Sequence, residues 1–388
     1  MNQENRIEHF KFLFYLGHPA HFHLFRYVIA GLRGRGHEVR ILVKKKDVLE
    51  QLLQDCGWGY VNILPQGRKD NKLSIAWGML KRDMALWSYT STFRPHLMAG
   101  TSVEIAHVGR LRGISAIAVN EDDWDVVPLF SKTVYPFCSH ILAPDCCRTG
   151  KWEGKTIHYA GYHELAYLHP DYFHPDENVV HHLYDERRRF YLLRFAKLTA
   201  HHDAGISGLH SELVEKIIQM LEPHGKIYIT SERPLETQFE KYRISIAPLD
   251  MHHALAFADI YIGDSQTMTA EAAVLGTPAL RYNDFVGRIG YLEELEHRYQ
   301  LAQGFKTGRA HDLLQALEYL LNKPARKKAW QDRRRQMLND KMDVTRYMID
   351  LFEKMAAAAA APGIVQTATC SKSMQGSNLT QTHIKPNA

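Results

Sequence analysis

The stretch YIGDSQTMTAEAAVLGTPALR, residues 261–281, decides how the fold is read. Asp259, Ile260, Tyr261 and Ile262 close a short apolar run of strand length. Gly263, Asp264, Ser265, Gln266 and Thr267 form a small polar turn. Apolar residues then fall at Met268, Ala272 and Leu275, the spacing of one helix face. Gly276 and Pro278 stop that helix, and Ala279 and Leu280 start the next strand. A polar turn running into a helix N-terminus is a ready anion site, because free N–H groups point outward and the helix dipole favours negative charge. Ser265, Gln266 and Thr267 add side-chain donors there, and Glu271, one turn in, can accept two hydrogen bonds from a ribose diol. The plainer alternative is that Ser265 is an N-cap and nothing more.

Outward from this stretch, the whole chain alternates strands and helices. In the first half Phe12–Leu16 reads as a strand and 17–21 (GHPAH) as a turn. Phe22, Phe25, Ile29 and Leu32 then repeat with helical spacing, Gly34 and Gly36 end the helix, and Glu38–Val43 reads as a second strand. His18, His21 and His23 lie on or just past that first turn, at the strand end where α/β sheets bind ligands; each has a capping or packing alternative. Residues 94–100 read as a strand leading into Thr101 and Ser102, and 113–119 as another, followed by Asn120, Glu121, Asp122, Asp123, Trp124 and Asp125. Those acids have no His at metal-ligand spacing, so a solvated or substrate-facing loop is expected rather than a metal site. Residues 161–176 are aromatic and Pro-punctuated and read as a linker. In the second half Phe190–Leu193 and Lys226–Thr230 read as strands, 198–206 (LTAHHDAGI) as a turn-rich loop, and Leu209–Leu221 and Met251–Ala258 as helices. Ala325–Met355 reads as one charged helix, and the Ser/Thr/Gln/Asn-rich end as disordered.

The run D-S-x-x-x-x-x-E-A-x-x-L-G-x-P at 264–278 resembles the nucleotide-diphosphate loop of the GT-B superfamily. It is most similar to the UDP-N-acetylglucosamine 2-epimerases and to a bacterial and archaeal family of unknown function beside them. The opening strand, His-containing turn, helix and R-G-H-E-V strand resemble the GT-B opening as well. The resemblance covers roughly residues 10–350 and implies two Rossmann-like α/β domains with mainly parallel sheets facing a central cleft. It implies that Gly263, Asp264, Ser265, Gln266 and Thr267 hold a diphosphate and that Glu271 holds the ribose. The epimerases carry a Gly pair where Gln266 and Thr267 stand here. Their strand-following Glu, which takes part in proton transfer, falls on Glu121. Their activity-bearing His falls on His201 in 199–203 (TAHHD), with His202 where the family pattern has another basic residue. The epimerases also place an Asp in the loop matching Gly100–Ser102, and no carboxylate stands there in this chain.

The expected organisation is a first domain over 1–165 on the acceptor side, a linker over 166–185, and a nucleotide-sugar domain over 186–330. A last helix over 331–356 is expected to return to the first domain, followed by a disordered tail over 357–388. The 388 residues suit two domains, and 45% hydrophobic content suffices for ordinary cores. No apolar run approaches the ~20 residues of a membrane helix. The N-terminal MNQENRIEHFKF lacks an apolar signal region, and the five Cys show neither metal spacing nor a disulfide framework, so a cytoplasmic location is expected. The net charge of +5 suits anionic small molecules or the anionic inner face of a membrane, and is too small to indicate nucleic acid.

The function implied is a UDP-sugar-dependent glycosyltransferase-like enzyme of surface glycan biosynthesis. In it a His of the first turn takes the acceptor proton, and no metal or other cofactor is needed. A hydrolysing 2-epimerase using Glu121 and His201, or a nucleotide-sugar binding protein without turnover, are the alternatives.

Overall fold

The computed structural model describes residues 9–44, 47–64, 72–186, 188–196 and 208–361. The first half folds as β1 (Lys11–Leu16), α1 (Pro19–Gly34), β2 (Glu38–Lys44), α2 (Asp47–Asp55), β3 (Val61–Leu64), α3 (Lys72–Phe93), β4 (Leu97–Gly100), α4 (Val103–Arg112), β5 (Ser115–Val119), α5 (Pro128–Val134), β6 (His140–Pro144) and β7 (Thr156–Tyr159). Two short helices follow, α6 (Leu165–Leu168) and α7 (Glu177–Val180). The second half is β8 (Phe190–Phe195), α8 (Ser211–Leu221), β9 (Lys226–Ser231), α9 (Met251–Phe257), β10 (Tyr261–Gly263), α10 (Gln266–Leu275), β11 (Ala279–Tyr282), α11 (Gly290–His297), β12 (Ala302–Phe305) and α12 (Ala310–Asn322). The chain closes with α13 (Arg326–Asp340) and α14 (Val344–Ala360).

Seven strands form one sheet in the order β3-β2-β1-β4-β5-β6-β7, and five form a second in the order β12-β11-β10-β8-β9. Every pairing within the two sheets is parallel. Helices cover both faces of such sheets, which is why β1 is a continuous apolar run with five of its six residues buried. Among the described residues no helix is long and apolar enough to cross a membrane.

Helix α1 begins at Pro19, earlier than the expected Phe22. Proline suits the first helical position, and His18 caps it, its Nδ1 accepting from the Ala20 N–H at 3.2 Å. His21 and His23 therefore lie on the helix and not on a turn. The charged C-terminal helix is two helices. The break falls at Lys341–Asp343, where the Met342 N–H donates to Ala160 O and Asp343 caps α14 by accepting from the Arg346 N–H. Helix α14 packs back on α1, α6 and the first sheet, with Phe352 against Phe14. It also runs through Ala360, so the first residues of the expected tail are helical; 362–388 lie outside the described residues.

The segment read as a linker is packed, not a tether. Tyr162, Leu165, Ala166 and Leu168 have no exposed surface, and they belong to one apolar cluster that runs from the first sheet into the second.

Candidate functional site

Open parallel sheets bind ligands beyond the strand C-termini, at the point where strand order reverses. The first sheet reverses between β1 and β4, the second between β8 and β10. The residues after these four strands are 17–18, 101–102, 196 and 264–265, which include the candidate loops.

In the first crevice His21 Nδ1 accepts the Gly17 N–H at 3.0 Å, and its Nε2 lies 2.6 Å from Thr101 Oγ1. A neutral ring with Nδ1 accepting keeps its proton on Nε2. Thr101 Oγ1 lies 2.8 Å from Nδ1 as well, so both ring nitrogens face this hydroxyl. His18 caps α1 and His21 contacts Thr101, the capping and packing alternatives open to them.

In the second crevice Ser265 caps α10, its Oγ accepting from the Met268 N–H at 3.3 Å. By helix geometry the N–H groups of Gln266 and Thr267 have no intrahelical acceptor and point out of the helix end. Gly263 is required by crowding: a Cβ there would sit 2.4 Å from Tyr261 Oη and 3.0 Å from the Arg194 carbonyl. Asp264 is buried and turned into the protein. Its Oδ1 accepts from the Ala196 N–H at 2.6 Å, and its Oδ2 from the Leu209 N–H and Arg233, both at 3.3 Å. This carboxylate holds the loop rather than facing a ligand, and it ties down both flanks of the segment carrying His201. His201 itself lies outside the described residues, as does His202. Arg233, which sequence reasoning passed over, is a partly exposed cation beside this loop. Its one signal was its place two residues past the C-terminal end of β9.

Helix α10 is buried from Met268 to Leu275 on every side, where the sequence spacing indicated only one apolar face. Alanine and threonine let it pass close to its neighbours. Glu271 is consequently buried, its Oε1 accepting from Tyr167 Oη at 2.9 Å and lying 3.0 Å from His252 Nε2. His23 of α1 meets His252 edge-on, ring centroids 4.7 Å apart, and stacks obliquely on Tyr167 at 5.4 Å. The two halves of the chain therefore touch at Glu271. Burial first, and the neighbouring His252, Arg26 and His18 next, hold His23 well below its ordinary value, so its imidazole is neutral.

A second junction lies at the acidic loop after β5. Asp123 accepts the Gly290 N–H at 2.6 Å, joining that loop to the start of α11, and also accepts from Arg148. Asp125 pairs with Arg148 too. Two of the four acids are thus structural. Glu121 Oε2 accepts from the His163 N–H at 3.2 Å, and its Oε1 lies 3.4 Å from His163 Nδ1. This is no ion pair, because burial pushes the imidazole down to about 3. Burial, then Asp122 and Glu271, pushes the Glu121 carboxyl up. The metal-competent groupings among the described residues are Asp145–Cys146–Glu294 and Glu293–Glu296–His297, neither of which includes this loop.

Glu164 is the residue sequence reasoning missed. It has no exposed surface, and neither carboxylate oxygen has a hydrogen-bond partner among the described residues. Buried polar groups are nearly always paired. Burial, then the charges of Glu121 and Glu271, pushes this carboxyl well up. The neutral form is favoured in the fold, so below the unfolded value of about 4.3 there is no penalty. Above it the unfolded chain releases a proton that the fold retains, and stability falls as pH rises. Glu164→Gln is therefore expected to match the parent near pH 4 and to exceed it in stability at pH 8, because only the parent's unfolded chain gains by ionising there. Urea unfolding at both pH values reads this. A variant less stable than the parent at pH 8 would show that the carboxyl is paired and charged.

The family described as Protein of unknown function (DUF354) matches residues 12–351, nearly the whole described chain. The chain belongs to that family. Among curated protein sequences none matches it. Solved structures with the same fold include the spinosyn forosaminyltransferase SpnP, 15% identical with a TM-score of 0.60, over 90% of this chain and 100% of that one. The UDP-GlcNAc 2-epimerase from Neisseria meningitidis bound to UDP-GlcNAc is 12% identical with a TM-score of 0.61, over 89% and 100%. MnaA of S. aureus in complex with UDP is 11% identical with a TM-score of 0.64, over 90% and 97%. At these identities the likeness shows the fold, which is GT-B. Transferases and epimerases both share it. The loop after β4 supplies no cleft carboxylate, since the nearby Glu104 is buried and paired with Arg82.

Proposed function

We propose that the protein is a nucleotide-sugar enzyme that transfers the sugar of a UDP-linked donor to an acceptor in glycan assembly. The observation that supports it most is the α10 N-terminus, open at the switch point of the second sheet, with Glu271 one turn in at the contact between the two halves of the chain. The Gln266 and Thr267 N–H groups and the helix dipole would receive the diphosphate, with Arg233 beside them. Glu271 would exchange its Tyr167 and His252 contacts for the ribose hydroxyls. Glu121, from the opposite domain, would take the proton of the acceptor hydroxyl as its oxygen bonds to the sugar anomeric carbon. The anomeric carbon–oxygen bond to the diphosphate breaks in the same step, and the released negative charge is met by the helix terminus, the kind of fixed-dipole stabilisation that supplies most of many rate enhancements. A carboxyl raised by burial is a better base near neutral pH than an ordinary one. The missing carboxylate after β4 favours transfer over 2-epimerisation, which draws on that position in the related enzymes.

The test is a panel of nucleotide sugars with and without acceptors, following free UDP and hydrogen exchange at sugar C2. Acceptor-dependent UDP release supports transfer. Exchange at C2 overturns it in favour of epimerisation, and tight binding with neither indicates a binding protein. Because a helix terminus can take the place of a cation, turnover is expected to survive excess EDTA. A strict requirement for Mg²⁺ or Mn²⁺ would contradict this.

A further inference from the structure

One face of the first domain, built by α3, α4 and α5, carries exposed apolar side chains. On α3 Leu80, Met84 and Trp87 are 47%, 64% and 43% exposed. Their spacing, four and then three residues, places them on one helix face. Helices α4 and α5 extend the same surface. His107 of α4 contacts Asp83 of α3 and stacks edge-on against Phe137 just past α5, at 4.9 Å; Phe137 is 42% exposed. Leu111, one turn beyond His107, is 72% exposed. Isolated exposed apolar residues are ordinary, but a joined set of this kind marks a contact surface.

The exposed charged side chains that these three helices carry are mostly cationic. Lys81, Arg110, Arg112 and Lys132 lie on these three helices, and Arg112 stands 4.6 Å over the Trp87 ring. The acids of 78–93, 103–112 and 128–137 are Asp83 and Glu104 alone. Asp83 is held by His107, and Glu104 is buried against Arg82. The exposed rim is therefore cationic around an apolar centre. A symmetric contact with a second copy would set these cations against their own copies. An anionic lipid surface meets both features, burying the apolar side chains at headgroup depth and pairing the cations.

We propose that the α3–α4–α5 face docks on an anionic membrane surface. It lies on the domain expected to bind the acceptor. The proposal does not depend on the assigned chemistry, since docking needs no turnover.

The experiment is sedimentation of the full chain with vesicles of phosphatidylcholine alone and of phosphatidylcholine mixed equally with phosphatidylglycerol, at low and high salt, for the parent, Met84→Glu/Trp87→Glu and Arg110→Glu. Solution mass is measured without lipid in parallel. The expected result is binding to the anionic vesicles only, weakened by salt, lowered about tenfold or more by the double substitution and less by Arg110→Glu. Both variants change exposed side chains, and circular dichroism confirms that they fold. Three outcomes overturn the proposal: no binding to anionic vesicles, binding unaffected by the double substitution, or a dimer that the double substitution converts to monomer.

Discussion

Glu121→Gln is expected to lower turnover by about 10²–10⁴-fold, the usual contribution of a positioned base, while UDP affinity stays within a small factor of the parent. Glutamine keeps the shape and can still accept the His163 N–H that now reaches Oε2. Only proton uptake is removed, so kcat and kcat/KM should fall together. The burial that raises this carboxyl also predicts the form of the pH profile. Activity should rise with pH through a value above that of an ordinary glutamate, as the carboxyl ionises, and the rise should vanish in the variant. A variant retaining more than a tenth of parental turnover would remove Glu121 from the chemistry.

Glu271→Ala is expected to weaken UDP binding by about 1–3 kcal/mol, the range for hydrogen bonds to a charged group. Calorimetry reads this directly. The same carboxylate joins Tyr167 and His252, so some of the loss could come from a loosened domain junction. Tyr167→Phe separates the two causes, because it removes one junction bond and leaves the carboxylate. If Tyr167→Phe weakens UDP as much as Glu271→Ala does, Glu271 acts on the junction and not on the ribose.

The sequence made α10 readable because its ends are punctuated: Ser265 caps it, Gly276 adopts the left-handed conformation at φ 78°, and Pro278 follows. Strand β1 was readable because a strand covered on both faces is a plain apolar run. The depth of burial was not readable. Met268, Ala272 and Leu275 describe one face, yet Ala270, Ala273 and Glu271 are buried too, because tertiary packing decides which small residues are covered. Glu164 was hidden for a related reason. It precedes a helix of four residues, too short for periodicity, inside a stretch whose aromatics and prolines read as a linker. The break between α13 and α14 had a weak local signal, Asp343 before Val344, inside a run whose composition favours continuous helix. The histidines following β1 were located near the sheet edge but not their contacts, since the direction of each ring depends on Gly17, Thr101 and His252, partners supplied by the fold.

The claim that a nucleotide diphosphate sits on the α10 N-terminus is tested most directly by Gln266→Pro. Proline is tolerated at the first helical position, and Ser265 already has the extended backbone that a following proline requires, with φ −82° and ψ 128°. The substitution removes the outward N–H and the side-chain amide of Gln266 while leaving the helix and its cap. UDP and uridine are titrated calorimetrically into parent and variant in EDTA, with thermal unfolding as the control for folding. The account predicts unchanged stability, UDP affinity lower by about 1–3 kcal/mol, and uridine affinity unaltered. UDP affinity equal to the parent's in a fully folded variant would place the diphosphate elsewhere and contradict the account.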